Sequence, residues 1–303
     1  MELDLASEIR RRTEELIYQR DAVVMGQCLS AVGWVGGTVP ELPNHPNIIE
    51  LSMADVAGGG FAVGAALDDE RPVVYIVRYQ GFLWYNAISI VNYAAKSFEL
   101  FGVPCPLLIR AIAMEGSIGP VAGNYHLSLL LRMPGVNVFA PMTKNEWNFA
   151  LDFHFNDYKR PTVIGEHRLA FPLKEELVNY HGKKSRITIL AVGSARLSAS
   201  KAFQMFQKEG VKVDLFHLFK LQPLIWPDGL VESIAVTGKC LIVDSDYANW
   251  GPSENLGFKL SKVLKCRIQV LGLPRRSAGF STITDNLSPS PQQIVEAARE
   301  LLT

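Results

Sequence analysis

The feature that most constrains the fold is an alternation that occurs twice. Short β-branched runs alternate with helical segments along residues 21–167, and again beyond residue 186. In the first series the strand patterns are "DAVVMGQ" (21–27), "PNIIELS" (46–52), "RPVVYIVRY" (71–79), "CPLLIRAIA" (105–113), "GVNVFAP" (135–141) and "RPTVIGEH" (160–167). Between them lie helical stretches at 57–67, 82–102 (closed by Gly102 and Pro104) and 143–155, the last starting at a Thr cap. Strands and helices in this order predict a mostly parallel sheet covered on both faces.

A polar stretch, "FPLKEELVNYHGKKS" (171–185), has no apolar period and reads as a linker. The second series follows it: strands at 186–194, 211–219, 239–246 and 266–274, with helices at 196–210, 252–264 and 290–302. The expected organisation is a domain over 1–170, the linker over 171–185 and a smaller α/β domain over 186–303. At 303 residues and 48% hydrophobic content, both domains can bury a core.

Thirty basic residues balance thirty acidic ones, so there is no net positive field to attract nucleic acid or an anionic membrane. Four scattered cysteines without a CxxC pair suggest reduced thiols. The charged amphipathic N-terminus lacks the apolar core of a secretory signal, and no apolar run reaches membrane-spanning length. A cytoplasmic protein is expected.

Three places stand out chemically. In "ELSMADVAGGGFAVGAAL" (50–67) a lone acid, Asp55, precedes three glycines and a helix. The spacing is neither GxGxxG nor a P-loop, and Asp55 would repel a phosphate. Either the glycines permit close packing and Asp55 caps the helix, or the carboxylate is aimed at a ligand nitrogen. His126 follows a Gly/Pro-rich loop (116–123), which suits a functional as well as a structural histidine. Phe82 opens the long helix, either as core or as a ring face for a flat heterocycle. The other histidines have no metal-ligand spacing.

In combination, "VVMGQ", "IIELSMADVAGGGFAVGAAL", "RPVVYIVRYQGFLWYNAISIVNYAAK", "GPVAGNYHLS", "PGVNVFAP" and "RPTVIGEHRLAFP" resemble, in order, the beta subunit of the thiamine-diphosphate-dependent first component (E1) of 2-oxo acid dehydrogenase complexes of the pyruvate and branched-chain types. The resemblance covers nearly the whole chain. It implies a transketolase-like pyrimidine-binding domain followed by a transketolase C-terminal-like domain. It also implies an oxidoreductase subunit that decarboxylates a 2-oxo acid and passes on the acyl or aldehyde unit.

By the same resemblance, the acid at position 55 bonds a ring nitrogen of the cofactor's aminopyrimidine and so activates the thiazolium carbon. Phe82 stacks on that ring, Gln27 stands where the family has a second acid, and His126 lies near the reacting centre. The chain has no GDG…N stretch to bind Mg²⁺ and the diphosphate. The resemblance therefore implies an alpha-type partner holding both, an alpha2beta2 heterotetramer, and docking to a lipoyl acyltransferase core. Three positions depart from the family. Asp55 replaces Glu, shortening the reach by about 1.5 Å, a misplacement that can cost on the order of a hundredfold in rate. Gln27 replaces an acid and Leu127 a Ser. Two alternatives remain: half of a split transketolase or carboligase, which would need several basic and histidine contacts where only Arg78 and Arg110 stand as pocket-side cations, or a non-catalytic paralogue.

Overall fold

The computed structural model describes residues 3–68, 70–123, 125 and 127–303. The chain divides into two compact units. One comprises Met1–Met114, Val121–Glu176 and Leu221–Pro223; the other comprises Glu115–Pro120, Leu177–Lys220 and Leu224–Thr303.

In chain order the first unit contains α1 (Leu5–Arg20), β1 (Val23–Gln27), α2 (Ala31–Gly37), β2 (Ile48–Leu51), α3 (Asp55–Asp68) and β3 (Val73–Val77). These are followed by α4 (Leu83–Ala87), α5 (Ala95–Phe101), β4 (Leu107–Ala113), α6 (Leu127–Leu130), β5 (Asn137–Phe139), α7 (Lys144–Asp157) and β6 (Thr162–His167). The strands lie in the order β2-β1-β3-β4-β6-β5, and each of these neighbouring pairs is parallel. Every residue of β1, β3, β4 and β6 is buried, because helices cover both faces and no strand side chain reaches water. Edge strand β2 is only half-buried.

The second unit contains β7 (Thr188–Val192), α8 (Ala195–Lys208) and β8 (Asp214–Leu218). The short β9 (Lys220–Gln222) joins the first sheet beside β5. Then follow α9 (Leu230–Thr237), β10 (Lys239–Tyr247), α10 (Pro252–Val263), β11 (Arg267–Leu273) and α11 (Pro291–Leu302). A parallel four-stranded sheet, β11-β10-β7-β8, packs Ile189, Ala191, Leu241 and Val243 against Phe203 and Phe206 of α8 and Ile294 and Ala298 of α11. Ser290 and Gln293 form a reciprocal capping box that starts α11.

Several local features differ from the sequence expectations. The helix expected over 82–102 is interrupted: α4 and α5 flank a π-helical segment, Ile88–Ala94, before Gly102 (φ 69°) ends the run. Thr143 stands at the start of α7, but its hydroxyl makes no cap bond; Glu146 instead accepts from the Met142 N–H at 3.0 Å. The last five residues of α2, Gly33–Gly37, all have φ between +53° and +80°, a left-handed turn that includes Trp34 and Val35. Nothing in "SAVGWVGG" except its glycines suggests that. Within 171–185, the Phe171 and Leu173 carbonyls accept from Ala6 and Leu5 in the first unit. Tyr180 exchanges both backbone hydrogen bonds with Leu215 in the second, antiparallel to β8.

Arg110, expected at a pocket, is instead a core residue. It is fully buried on β4, with Nε and Nη2 forking onto the Glu166 carboxylate at 2.7 and 2.9 Å. Thr38 Oγ1 accepts from Nη2 at 2.7 Å, and Trp147 Nε1 donates to Glu166 Oε1 at 2.9 Å. Its charge is spent on a structural network joining β4, β6, α7 and the end of α2.

Candidate active site

A cavity of about 240 Å³ in the first unit lies where β1 and β3 end and α3 begins. Loops beyond the carboxyl ends of parallel strands are the usual ligand position in such sheets. Gln27 closes β1, Asp55 opens α3, and Phe82 lies just before α4; all three line this one cavity. Tyr75, Arg78 and Tyr79 complete the side near β3. His126 lies outside the described residues.

The packing explains how Asp55 comes to the rim. A Cβ on Gly58 would stand 2.9 Å from the Tyr75 hydroxyl, and one on Gly59 would stand 2.4 Å from Asn86 Oδ1. These two glycines let the first turn of α3 lie directly against β3 and α4. Gly58 and Gly59 therefore serve close packing, and in doing so they set Asp55 in the first turn at the cavity, while Gly60 is exposed.

Asp55 is half-buried. Burial pushes its carboxyl above the ordinary carboxylate range, opposed by its own backbone N–H and by the Gln27 amide. Gln27 is 6% exposed, and its Nε2 makes no hydrogen bond of ordinary geometry among the described residues. Burial and the Asp55 charge push the Tyr75 phenol up to about 12. Phe82 sits edge-on to Tyr79, ring centroids 5.5 Å apart at 64°, and tilted to Tyr85 at 6.3 Å.

The site thus offers a half-buried carboxyl that burial raises, an unused amide donor and an aromatic wall. Together they match a flat, nitrogen-bearing heterocycle: the acid for a ring nitrogen, the amide for an acceptor, Phe82 for a ring face. Among the described residues no three His, Cys, Asp or Glu side chains converge to hold a metal, and no helix is long and apolar enough to cross a membrane.

Sequence reading missed Tyr75, which looks like any buried strand residue, and Asn86, which sits in a helical pattern. Both are fixed by tertiary contact with the glycines. Arg78, read from the sequence as a pocket-side cation, does line the cavity.

Residues 5–174 match the pyrimidine-binding domain of transketolase, and residues 177–294 match the transketolase C-terminal domain. The chain belongs to the transketolase pyrimidine-binding domain family. Its sequence is 24% identical to the pyruvate dehydrogenase E1 component subunit beta of Staphylococcus epidermidis, over 98% of this chain and 95% of that one. The Acholeplasma laidlawii subunit of the same name is 23% identical over 84% and 83%. In fold the chain is similar to a split-gene transketolase described as an inactive beta4 tetramer (TM-score 0.76, 17% identity, 99% and 98% covered). It also overlays 46% of the longer Pichia stipitis transketolase (TM-score 0.75, 17% identity, 100% of this chain).

Proposed function

We propose that this chain is the beta-type subunit of a thiamine-diphosphate-dependent enzyme that decarboxylates a 2-oxo acid. It would contribute the pyrimidine half of the cofactor site and work with an alpha-type partner that carries Mg²⁺ and the diphosphate. The observation that carries this reading is the convergence of Asp55, Gln27 and Phe82 on one cavity. End-to-end similarity to E1 beta subunits supports it.

When bound, thiamine diphosphate supplies the acidic thiazolium carbon that attacks a carbonyl and the electron sink that loss of CO₂ requires. The chain's own residues do the rest. The Asp55 carboxyl, raised by burial, stands at the cavity rim where it can bond a ring nitrogen. Gln27 Nε2 gains the partner it lacks. Phe82 and Tyr79 fix the ring plane, and the Tyr75–Asn86 pair keeps their turn in place. His126 is proposed to act at the reacting centre, on the oxyanion or carboxylate. Docking of a lipoyl acyltransferase core and an alpha2beta2 assembly belong to the same proposal.

The short reach of Asp55 favours a second reading, a paralogue that keeps the fold as a non-catalytic partner. One experiment separates the two. The chain is co-purified with an alpha-type subunit and assayed for 2-oxo-acid-dependent dye reduction, with Asp55→Asn and Asp55→Glu alongside. Activity in the parent that falls at least a hundredfold in Asp55→Asn supports an enzyme. An inactive parent that Asp55→Glu fails to awaken supports the scaffold.

A further inference from the structure

Beside the pyrimidine cavity lies a second, narrower cleft in the same unit. It shares Cys28, Arg78 and Tyr79 with the cavity and adds Met114, Arg168 and Phe171. Arg78 directly follows β3 and Arg168 directly follows β6, so both cations stand at the carboxyl ends of parallel strands. Both are half-buried. Arg78 lies 5.4 Å from the Tyr79 ring centroid, and Arg168 Nη1 reaches the Met114 sulfur at 3.7 Å. Neither forms an ion pair among the described residues, and no Asp or Glu lines the cleft. By contrast, Arg110 of the same sheet is fully satisfied by Glu166.

Two guanidiniums in a largely apolar cleft without a counter-ion are costly in the free protein. They are also a fitting receptor for a planar oxyanion, because each presents a fork of N–H donors. The free interior is about 20 Å³, while about 10–15 Å³ of such space suffices for one water. That leaves room for one or two water-sized groups, which the small planar head of a carboxylate suits better than tetrahedral phosphate with its four oxygens. The anion is not the carboxylate lost as CO₂: two cations on that group would stabilise the ground state above the transition state and slow its departure.

We infer that Arg78 and Arg168 form a subsite for a terminal carboxylate remote from the reacting carbonyl, so that the substrate is a 2-oxo dicarboxylate. This rests on the proposed function and narrows its substrate class. The left-handed turn of α2 lends its Val35 and Gly36 to the same cleft, so the strained segment forms part of its wall.

The test titrates the full chain by calorimetry at low ionic strength with 2-oxoglutarate, with 2-oxopentanoate (five carbons, no distal carboxylate) and with inorganic phosphate. At least tenfold tighter binding of 2-oxoglutarate than of either other probe is expected. Arg168→Met and Arg78→Met should each abolish that preference, and Arg168→Lys should retain part of it. Equal binding of the two oxo acids, tighter binding of phosphate, or a preference that survives both Met variants would overturn the subsite. Melting curves establish that the variants fold, and the wild-type comparison decides the matter even where one does not. An aminopyrimidine fragment titrated in parallel reports on the cofactor site separately, so its failure to bind would count against the proposed function and not against the arginine pair.

Discussion

The Tyr75 hydroxyl donates to Asn86 Oδ1 at 2.9 Å, tying strand β3 to helix α4 behind the cavity wall. Asn86 Nδ2 donates in turn to the Phe82 carbonyl at 2.8 Å, so the aromatic turn hangs on a fully buried amide. Asn86→Leu leaves both the phenol and that carbonyl without their partner. A loss of about 1–3 kcal/mol in denaturant unfolding is expected, with weaker binding of an aminopyrimidine because the Phe82 turn is no longer held.

Gly59 tests the same seam sterically. A methyl there falls 2.4 Å from Asn86 Oδ1, a buried atom that cannot swing into solvent. Gly59→Ala should destabilise by about 1–3 kcal/mol, the usual cost of overpacking. Gly64, which has open space beyond its Cα, should accept Ala with little change. Parallel urea titrations of the two variants check this.

The Arg110–Glu166 pair makes a different prediction. Arg110→Met strands a buried carboxylate with, among the described residues, only Trp147 to donate to it, and a loss of about 3–5 kcal/mol is expected. Replacing both partners, Arg110→Met with Glu166→Leu, removes the stranded charge and should recover much of that loss. A double-variant cycle in guanidinium measures the coupling.

Stability should fall in mild acid. Burial lowers His154 to about 3 and His217 to about 2, so both stay neutral in the folded chain. In the unfolded chain each titrates near the ordinary value of 6.5. The unfolded state therefore binds more protons as pH falls below that value, and the stability present above it is progressively lost toward the folded-state pKa. The expected loss is about 1.4 kcal/mol per histidine per pH unit between roughly pH 6 and pH 4. Unfolding free energies at pH 7.5 and 5.5 check it, and a His154→Phe variant should show a shallower dependence.

Much of this was legible in the sequence where the physics is local. Continuous apolar runs such as "VVYIV" announced buried parallel strands, Gly102 announced a helix end, and Asp55 beside three glycines announced a special helix start. Arg110 was misplaced because a run of apolar residues conceals which face of the sheet one cation points to. The partner, Glu166, is 56 positions away, and only pairing β4 with β6 brings it near. The π-helical break at Ile88–Ala94 was illegible for a similar reason: "ISIVNYA" has good helical periodicity, and no sequence signal announced the break. Tyr75 and Asn86 could be read only once Gly58 and Gly59 were seen as contact points and not as a flexible run.

The most direct test of the central claim compares two ligands on the isolated chain: 4-amino-5-hydroxymethyl-2-methylpyrimidine and thiamine diphosphate. If Asp55, Gln27 and Phe82 grip only the ring, the two should bind within about tenfold of each other, and Asp55→Ala should weaken both alike. Thiamine diphosphate binding a hundredfold tighter than the fragment, or binding unmoved by Asp55→Ala, would contradict the account.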